Sequence, residues 1–437
     1  MAAIPAPNVS WQMAVAAEPM PPEALLRALF DAAVASAQPD RCVPPALPEP
    51  PAGRTVVIGA GKAAAAMARA VERHWARPIA GLVVTRHGHG VPCERIAVRE
   101  AGHPVPDAAG VAATREMLDL LEGLSADDLV LCLISGGGSA LLTAPPPGVS
   151  LADLQMLSRD LLRSGAAIGQ MNCVRKHLSL VAGGWLAQRA GPARLVTLAI
   201  SDVPGDDPAM IASGPTMADP TTRDDASAVL RQFGIEPASS IRDWLASPAS
   251  ETPKPGAIPD TDYRLIASPG LALEAAAAMA RAIGIAPRLL GSDLEGEARD
   301  LGFAHAALAL EIQRAGGPPC VLLSGGETSV TVRGTGRGGR NGEYLLALTQ
   351  ALNGAPGIHA LAADTDGIDG TEANAGAVTG PRTIAAAGRS CAAALANSDS
   401  YPFFAAAESL VTTGPTFTNV NDFRAILVEA PGGKGDY

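Results

Sequence analysis

Thr55-Val56-Val57-Ile58-Gly59-Ala60-Gly61-Lys62 is the stretch on which the fold turns. Its first four residues are all β-branched and predict a buried strand. Gly59 and Gly61 then free the backbone for a sharp turn into a helix over Ala63–His74, whose N-terminus favours negative charge. Lys62 adds a full positive charge at the same point. A strand, a glycine turn and a helix form the repeating unit of a parallel sheet.

The same alternation runs outward in both directions. A helix over Pro22–Ala35 precedes the segment, and the first twenty residues, rich in Pro and Ala, are expected to be loose. Strands follow at Gly81–Val84, Leu129–Ile134 and Arg194–Ala199, separated by helices at Ala109–Leu121, Leu151–Arg163 and Val174–Gln188. Short apolar strands between amphipathic helices predict a Rossmann-like, mostly parallel sheet with helices on both faces. Ser247–Pro259 carries four prolines and no periodicity, and is read as a linker. Beyond it come strand Tyr263–Ala267, helix Gly270–Ile283, strand Arg288–Leu290, helix Gly296–Ala315 and strand Pro319–Leu323. Alternation over Thr328–Arg333 predicts a hairpin, followed by helix Gly342–Leu352 and strands Ile358–Ala362 and Ala425–Glu429. The expectation is an α/β protein of two domains, residues 22–250 and 260–437. The second has a mixed sheet, and the active site lies in the cleft between them. Two domains also suit 437 residues, since single cores stop growing near about 250–300.

Composition narrows the function. A formal charge of −11 and 3% aromatic residues argue against nucleic acid as a partner. Six scattered cysteines without a Cys-x-x-Cys pair fit free thiols in a reducing compartment. No signal-like segment and no apolar run of bilayer length is present, so a cytoplasmic protein without membrane association is expected. A homo-oligomer is compatible with all of this.

In so acidic a chain, cations in glycine-rich loops are informative. Ser135-Gly136-Gly137-Gly138-Ser139 follows a strand, and three glycines between hydroxyls can cradle a phosphate or carboxylate. Ser324-Gly325-Gly326-Glu327 echoes it in the second half, which suggests two anion loops facing one cleft at the carboxyl ends of strands. Arg333, Arg337 and Arg340, spaced by glycines and followed by Asn341, suit a clamp on phosphate oxygens. Asp202, Asp206 and Asp207 follow one strand, and Asp364, Asp366 and Asp369 another; such carboxylates can hold a hydrated Mg²⁺. His87 and His89 lack a third ligand and read as loop residues, while His103 is either catalytic or a turn anchor. A dinucleotide site would want an acid about twenty residues after the glycines, where Thr85-Arg86 stands. NAD is therefore disfavoured. Leu133, in place of the first glycine of a nucleophile elbow, disfavours a serine hydrolase.

These segments in order resemble the glycerate 2-kinase family, some of whose members carry a hydroxypyruvate-reductase label. The likeness rests on Gly59–Ala63, Gly102–Asp107, Ser135–Leu142, Asn172–Ser179, Ser201–Pro215, Ser324–Thr331, Gly338–Asn341 and Thr365–Gly370. It implies transfer of the ATP γ-phosphoryl group to the 2-hydroxyl of D-glycerate, a small hydroxy acid, with Mg²⁺ as cofactor. By that resemblance Lys62 and Arg340 position and stabilise the transferring group. Asp202 orients the hydroxyl or binds metal with Asp366, and Gly59, Gly61, Ser135–Ser139, Ser324–Glu327, Arg337 and Asn341 bind nucleotide or substrate. Arg175, Lys176 and His177 add charge near the cleft. Gln170, Ala182, Gly342, Asp364 and Phe417 depart from the family's usual residues. A hydroxypyruvate reductase using NAD(P)H and a non-catalytic metabolite-binding relative are the other two readings.

Overall fold

Six strands form the first sheet: β1 (Thr55–Ala60), β2 (Ala80–Arg86), β3 (Ile96–Ala101), β4 (Leu129–Ser135), β5 (Arg194–Ile200) and β6 (Asp262–Ala267). They lie in the order β3-β2-β1-β4-β5-β6, all parallel. The computed structural model describes residues 20–259 and 261–430. Val57, Leu131 and Leu133 face one side of this sheet and Val56, Ile58, Val130 and Cys132 the other, all buried. Burial on both faces is why these strands read as unbroken apolar runs. The strand order reverses between β1 and β4, so the loops leaving those two strands diverge and open a crevice.

The second sheet comprises β7 (Ala286–Gly291), β8 (Cys320–Ser324), β9 (Ile358–Asp364), β10 (Gly376–Thr379), β11 (Leu410–Val411) and β12 (Asp422–Val428). Its order is β11-β10-β9-β12-β8-β7, and β12 runs antiparallel to both β8 and β9. Asp422, at the start of β12, therefore pairs with Asp364 at the end of β9, while Arg424 pairs with Ser324 at the end of β8. The mixed sheet thus gathers three strand termini at one edge.

Several expectations change. The stretch 247–259 is not a linker between domains: β6, which follows it, pairs with β5 and completes the first sheet. The chain leaves that sheet only at Ala267, where Ser268 caps the helix Pro269–Ala282. Helix Pro22–Ser36, expected in the first domain, instead lies against Pro269–Ala282, β9 and β12. Its Phe30 ring sits 5.8 Å from that of Phe423. The apolar core is continuous from Val57 and Leu131 of the first sheet to Leu361 and Phe423 of the second. The boundary at 250–260 therefore divides one sheet and misplaces one helix.

Three local readings also differ. Val174–Gln188 is two helices, Ile168–His177 and Trp185–Ala190, broken where Gly183 and Gly184 take φ of 57° and 91°. Thr328–Arg333 forms no hairpin; Ser329 makes a single bridge to Glu297, Thr328 is buried, and Thr331, Val332 and Arg333 are exposed. Strands β3, β10 and β11 escaped the sequence reading. The loose leader over the first twenty residues lies, apart from Met20, outside the described residues.

Two outcomes test this architecture. Phe30→Ala should lower unfolding free energy by about 3–5 kcal/mol in urea titrations, because it opens the seam between the N-terminal helix and the second sheet. Burial holds the His305 imidazole, which lies 2.9 Å from the Tyr344 hydroxyl, at about 4, against 6.5 ordinarily. Its neutral form is thus favoured in the fold. The stability this contributes is complete above pH 6.5 and lost as pH falls towards 4. His305→Gln should flatten the melting-temperature decline over that window.

Candidate active site

The loops after β1 and β4 are locked to each other. The Lys62 N–H donates to the Gly136 carbonyl at 2.8 Å and the Ala63 N–H to the Ser135 hydroxyl at 3.0 Å. Gly61, at φ 139°, leaves no room for a side chain, because a Cβ there would sit 2.1 Å from Ser135 Oγ. Gly136 is required for a different reason: a Cβ would sit 1.7 Å from Asp202 Oδ2. Asp202, just beyond β5, thus lies directly over the glycine loop.

The second sheet supplies a matching edge. Helix Arg340–Leu352 begins there, and Arg340 donates Nε to Asp422 Oδ1, Nη2 to Asp364 Oδ2 and Nη1 to Glu327 Oε1, at 2.8, 2.8 and 2.9 Å. Its N-cap, Gly339, has no side chain, and Asp369 takes over that task from a distance. The Asp369 carboxylate accepts the Asn341 and Gly342 N–H groups at 3.0 and 2.9 Å. Such groups have no partner within the helix. Asp422 also accepts from Asn341 Nδ2 at 2.7 Å and from the buried guanidinium of Arg424 at 2.6 Å. Arg424 in turn donates to the Gly325 carbonyl at 3.0 Å, so it ties the Ser324–Glu327 loop to the same network.

The two edges meet. Lys62 Nζ reaches Asp366 Oδ2 at 3.0 Å across the cleft, with the two side chains only 17% and 7% exposed. Asn419 Nδ2 donates to Asp202 Oδ2 at 2.9 Å, and Asn421 Nδ2 donates to the Asp202 carbonyl at 2.6 Å. Burial alone would depress Lys62, but the carboxylates of Asp366, Asp202 and Asp364 outweigh it and keep the ammonium charged. Arg340 is likewise desolvated and yet raised by Asp422, Asp364 and Glu327. Desolvation pushes Asp202 up to about 6 against the pull of Lys62, and burial followed by the Asp366 charge lifts Asp364 well above the carboxylate range. Asp366 is desolvated too, but Lys62 holds it low.

The expected site residues separate into groups. Lys62, Asp202, Asp366, Arg340, Asn341 and Glu327 converge on this charged cluster. Ser135 is buried with its oxygen taken by Ala63, so it braces the loop rather than facing a ligand. Ser139 bonds Ser213 at 2.8 Å beside a cavity. Gly59 permits close approach of β1 to β4, and Gly326 close approach to Leu294. Arg337 departs from expectation: it turns to Glu372 and Tyr401. Arg333 is exposed and outside the network, which leaves Arg340 alone of the three arginines in the cluster. Asp207 caps a turn through the Ala209 N–H. Among the described residues no three His, Cys, Asp or Glu side chains gather around an ion-sized point. His89 packs edge-on to Phe417. Sequence reading missed Asn419, Asn421, Asp422 and Arg424. The one signal for the first three was the polar residues around Val420, from Thr418 to Asp422, leading into an apolar strand; Arg424 lies inside that strand.

Comparison with known proteins bears on this geometry. A domain of unknown function, DUF4147, matches residues 25–246, and the MOFRL family matches residues 320–422. A D-glycerate 2-kinase of Thermotoga maritima is 41% identical over 88% of the chain and 93% of its own length. A crystal structure of a glycerate kinase from that organism superposes with a TM-score of 0.86 at 38% identity, covering 93% of this chain and 99% of that one. The chain belongs to the glycerate 2-kinase family. A protein of Agrobacterium vitis, 52% identical over 92% of the chain and 94% of its own length, provisionally bears the name hydroxypyruvate reductase. The five departures from the glycerate 2-kinase pattern now have places. Asp364 grips Arg340, and Gly342 faces Ser400 so closely that a Cβ would lie 2.3 Å from its hydroxyl. Phe417, at φ 59°, packs on the helix after β1 beside Ala65 and Ala66. Ala182 lines the cavity near Ser139, and Gln170 bonds Gln232 at 3.2 Å, at the opposite end of its helix from Arg175.

Asp369→Ala should cost about 0.5–2 kcal/mol of stability, as loss of a helix cap does. It should also lower kcat without changing the KM of either substrate, because Arg340 sits on the turn it holds. Chemical denaturation and steady-state kinetics together read both effects.

Proposed function

We propose that this protein transfers the γ-phosphoryl group of ATP to the 2-hydroxyl of D-glycerate, giving 2-phosphoglycerate and ADP. One observation carries the reading: Lys62 and Arg340, from opposite lobes, enter one cleft at the ends of both sheets, each already held by carboxylates. Phosphoryl transfer asks mainly for positioning and for stabilisation of charge on the transferring group. Two fixed cations on either side of that group supply both. The glycerate hydroxyl attacks the γ-phosphorus, the bond to the bridging oxygen of ADP breaks, and the hydroxyl proton passes to Asp202. Asp202 is suited to that task because desolvation has raised its affinity for a proton.

The carboxylates of Asp202, Glu327, Asp364, Asp366 and Asp422 outnumber Lys62, Arg340 and Arg424. An arriving triphosphate therefore needs further positive charge. Mg²⁺ takes one or two carboxylates and fills its shell with phosphate oxygens and water, and Asp366 would be the carboxylate to hold it, which leaves Asp202 to take the proton. When bound it would neutralise charge on the phosphates. All six cysteines are free thiols, and no helix among the described residues is long and apolar enough to cross a membrane. These features favour work in the cytoplasm.

The reductase reading draws on the strand order of the first sheet and the name of the Agrobacterium vitis relative. Against it, the end of β2 offers Thr85 and Arg86 rather than an acid for a ribose. Purified protein with MgATP and D-glycerate should release ADP, while NADPH with hydroxypyruvate should stay unoxidised. Lys62→Ala and Arg340→Ala should each lower kcat/KM roughly thousandfold. ADP release unaffected by both substitutions would sink the assignment.

A further inference from the structure

Beside the charged cluster lies a cavity of about 290 Å³ that the reaction at Lys62 does not account for. His103, Gly137 and Ser139 form one end, and Leu154, Leu157 and Leu161 line a wall. The polar end touches the reacting centre: a Cβ on Gly137 would lie 2.9 Å from the His103 ring and 3.5 Å from Lys62 Cγ. Leu162, which also lines it, is 51% exposed.

Arg175 also lines this space. Among the described residues no carboxylate pairs with its guanidinium, whose only hydrogen bond is a long one, 3.5 Å to Asn172 Oδ1. Desolvation has weakened its hold on the proton. A partly buried, uncompensated cation in a chain this acidic wants an anion. The leucine wall wants an apolar, flat group. D-glycerate has an oxygen on each of its three carbons and offers no such surface. A nucleotide offers both, on one molecule, with its phosphates at the polar end.

We infer that this cavity holds the base and ribose of the nucleotide, with Arg175 donating to its phosphates and the Gly136–Ser139 loop leading the chain of phosphates to Lys62. The inference rests on the kinase reading for its orientation, but nucleotide binding can be measured without turnover.

The test uses the full-length protein and isothermal titration with MgATP and MgADP, beside steady-state kinetics for both substrates. Ser158→Trp fills the cavity from a helix position outside the core, and Arg175→Ala removes the cation. Each should weaken nucleotide binding tenfold or more and leave the KM for D-glycerate within twofold. Val332→Trp obstructs a second cavity, beside Arg340 and Glu343, and should leave nucleotide affinity unchanged. Unaltered nucleotide affinity in both Ser158→Trp and Arg175→Ala overturns the assignment. So does a rise confined to the D-glycerate KM, or a loss of nucleotide binding that appears with Val332→Trp instead. If no hydroxy acid is phosphorylated but MgATP binds and both cavity variants abolish binding, the pocket stands and the acceptor assignment falls.

Discussion

An ammonium taken largely out of water must be met by a carboxylate, and Lys62 is met by Asp366 from the opposite sheet. Breaking a pair of this kind leaves a buried charge without compensation, which is typically far costlier than the pair is favourable. The contact therefore acts as a geometric requirement. The glycine loop after β1 and the strand end of β9 have to face one another at hydrogen-bond distance. The apolar core is continuous beneath them, with helices Pro22–Ser36 and Pro269–Ala282 packed against each other and against the second sheet.

Around that bridge, charge is arranged in layers. Arg424 neutralises part of Asp422, Asp422 and Asp364 hold Arg340, and Asp369 holds the helix turn on which Arg340 sits. Each link fixes the next, so the guanidinium is oriented before any substrate arrives. Preorganised charge of this kind costs no reorganisation during reaction. The excess of carboxylates over cations is a consequence of the same design.

The first sheet was largely legible from the chain. Strands β1, β4 and β5 are apolar runs because both their faces are covered, and glycines mark the turns where their loops approach each other. Lys62 and Asp202 drew notice as charges directly past strand ends and Arg340 as a cation closing a glycine-rich loop, and the structure brings all three to one cluster. The three-arginine clamp was misread because spacing along a glycine-rich loop says nothing about direction. Arg337 turns to Glu372, and Arg333 remains outside the network. Ser135 was misread because a hydroxyl beside glycines can serve the backbone as readily as a ligand.

The amino-acid sequence by itself determined the α/β class, the glycine turns at Gly59–Gly61 and Gly136–Gly138, and the charged residues at strand ends. All of these follow from periodicity and from backbone freedom, which are local properties. Tertiary structure alone decided that β6 closes the first sheet, that the N-terminal helix serves the second, and that Asp422, itself held by Arg424, reaches Arg340 from a strand about eighty residues away. Those pairings depend on which strand edges and apolar faces remain uncovered once the others have packed. No local pattern records that.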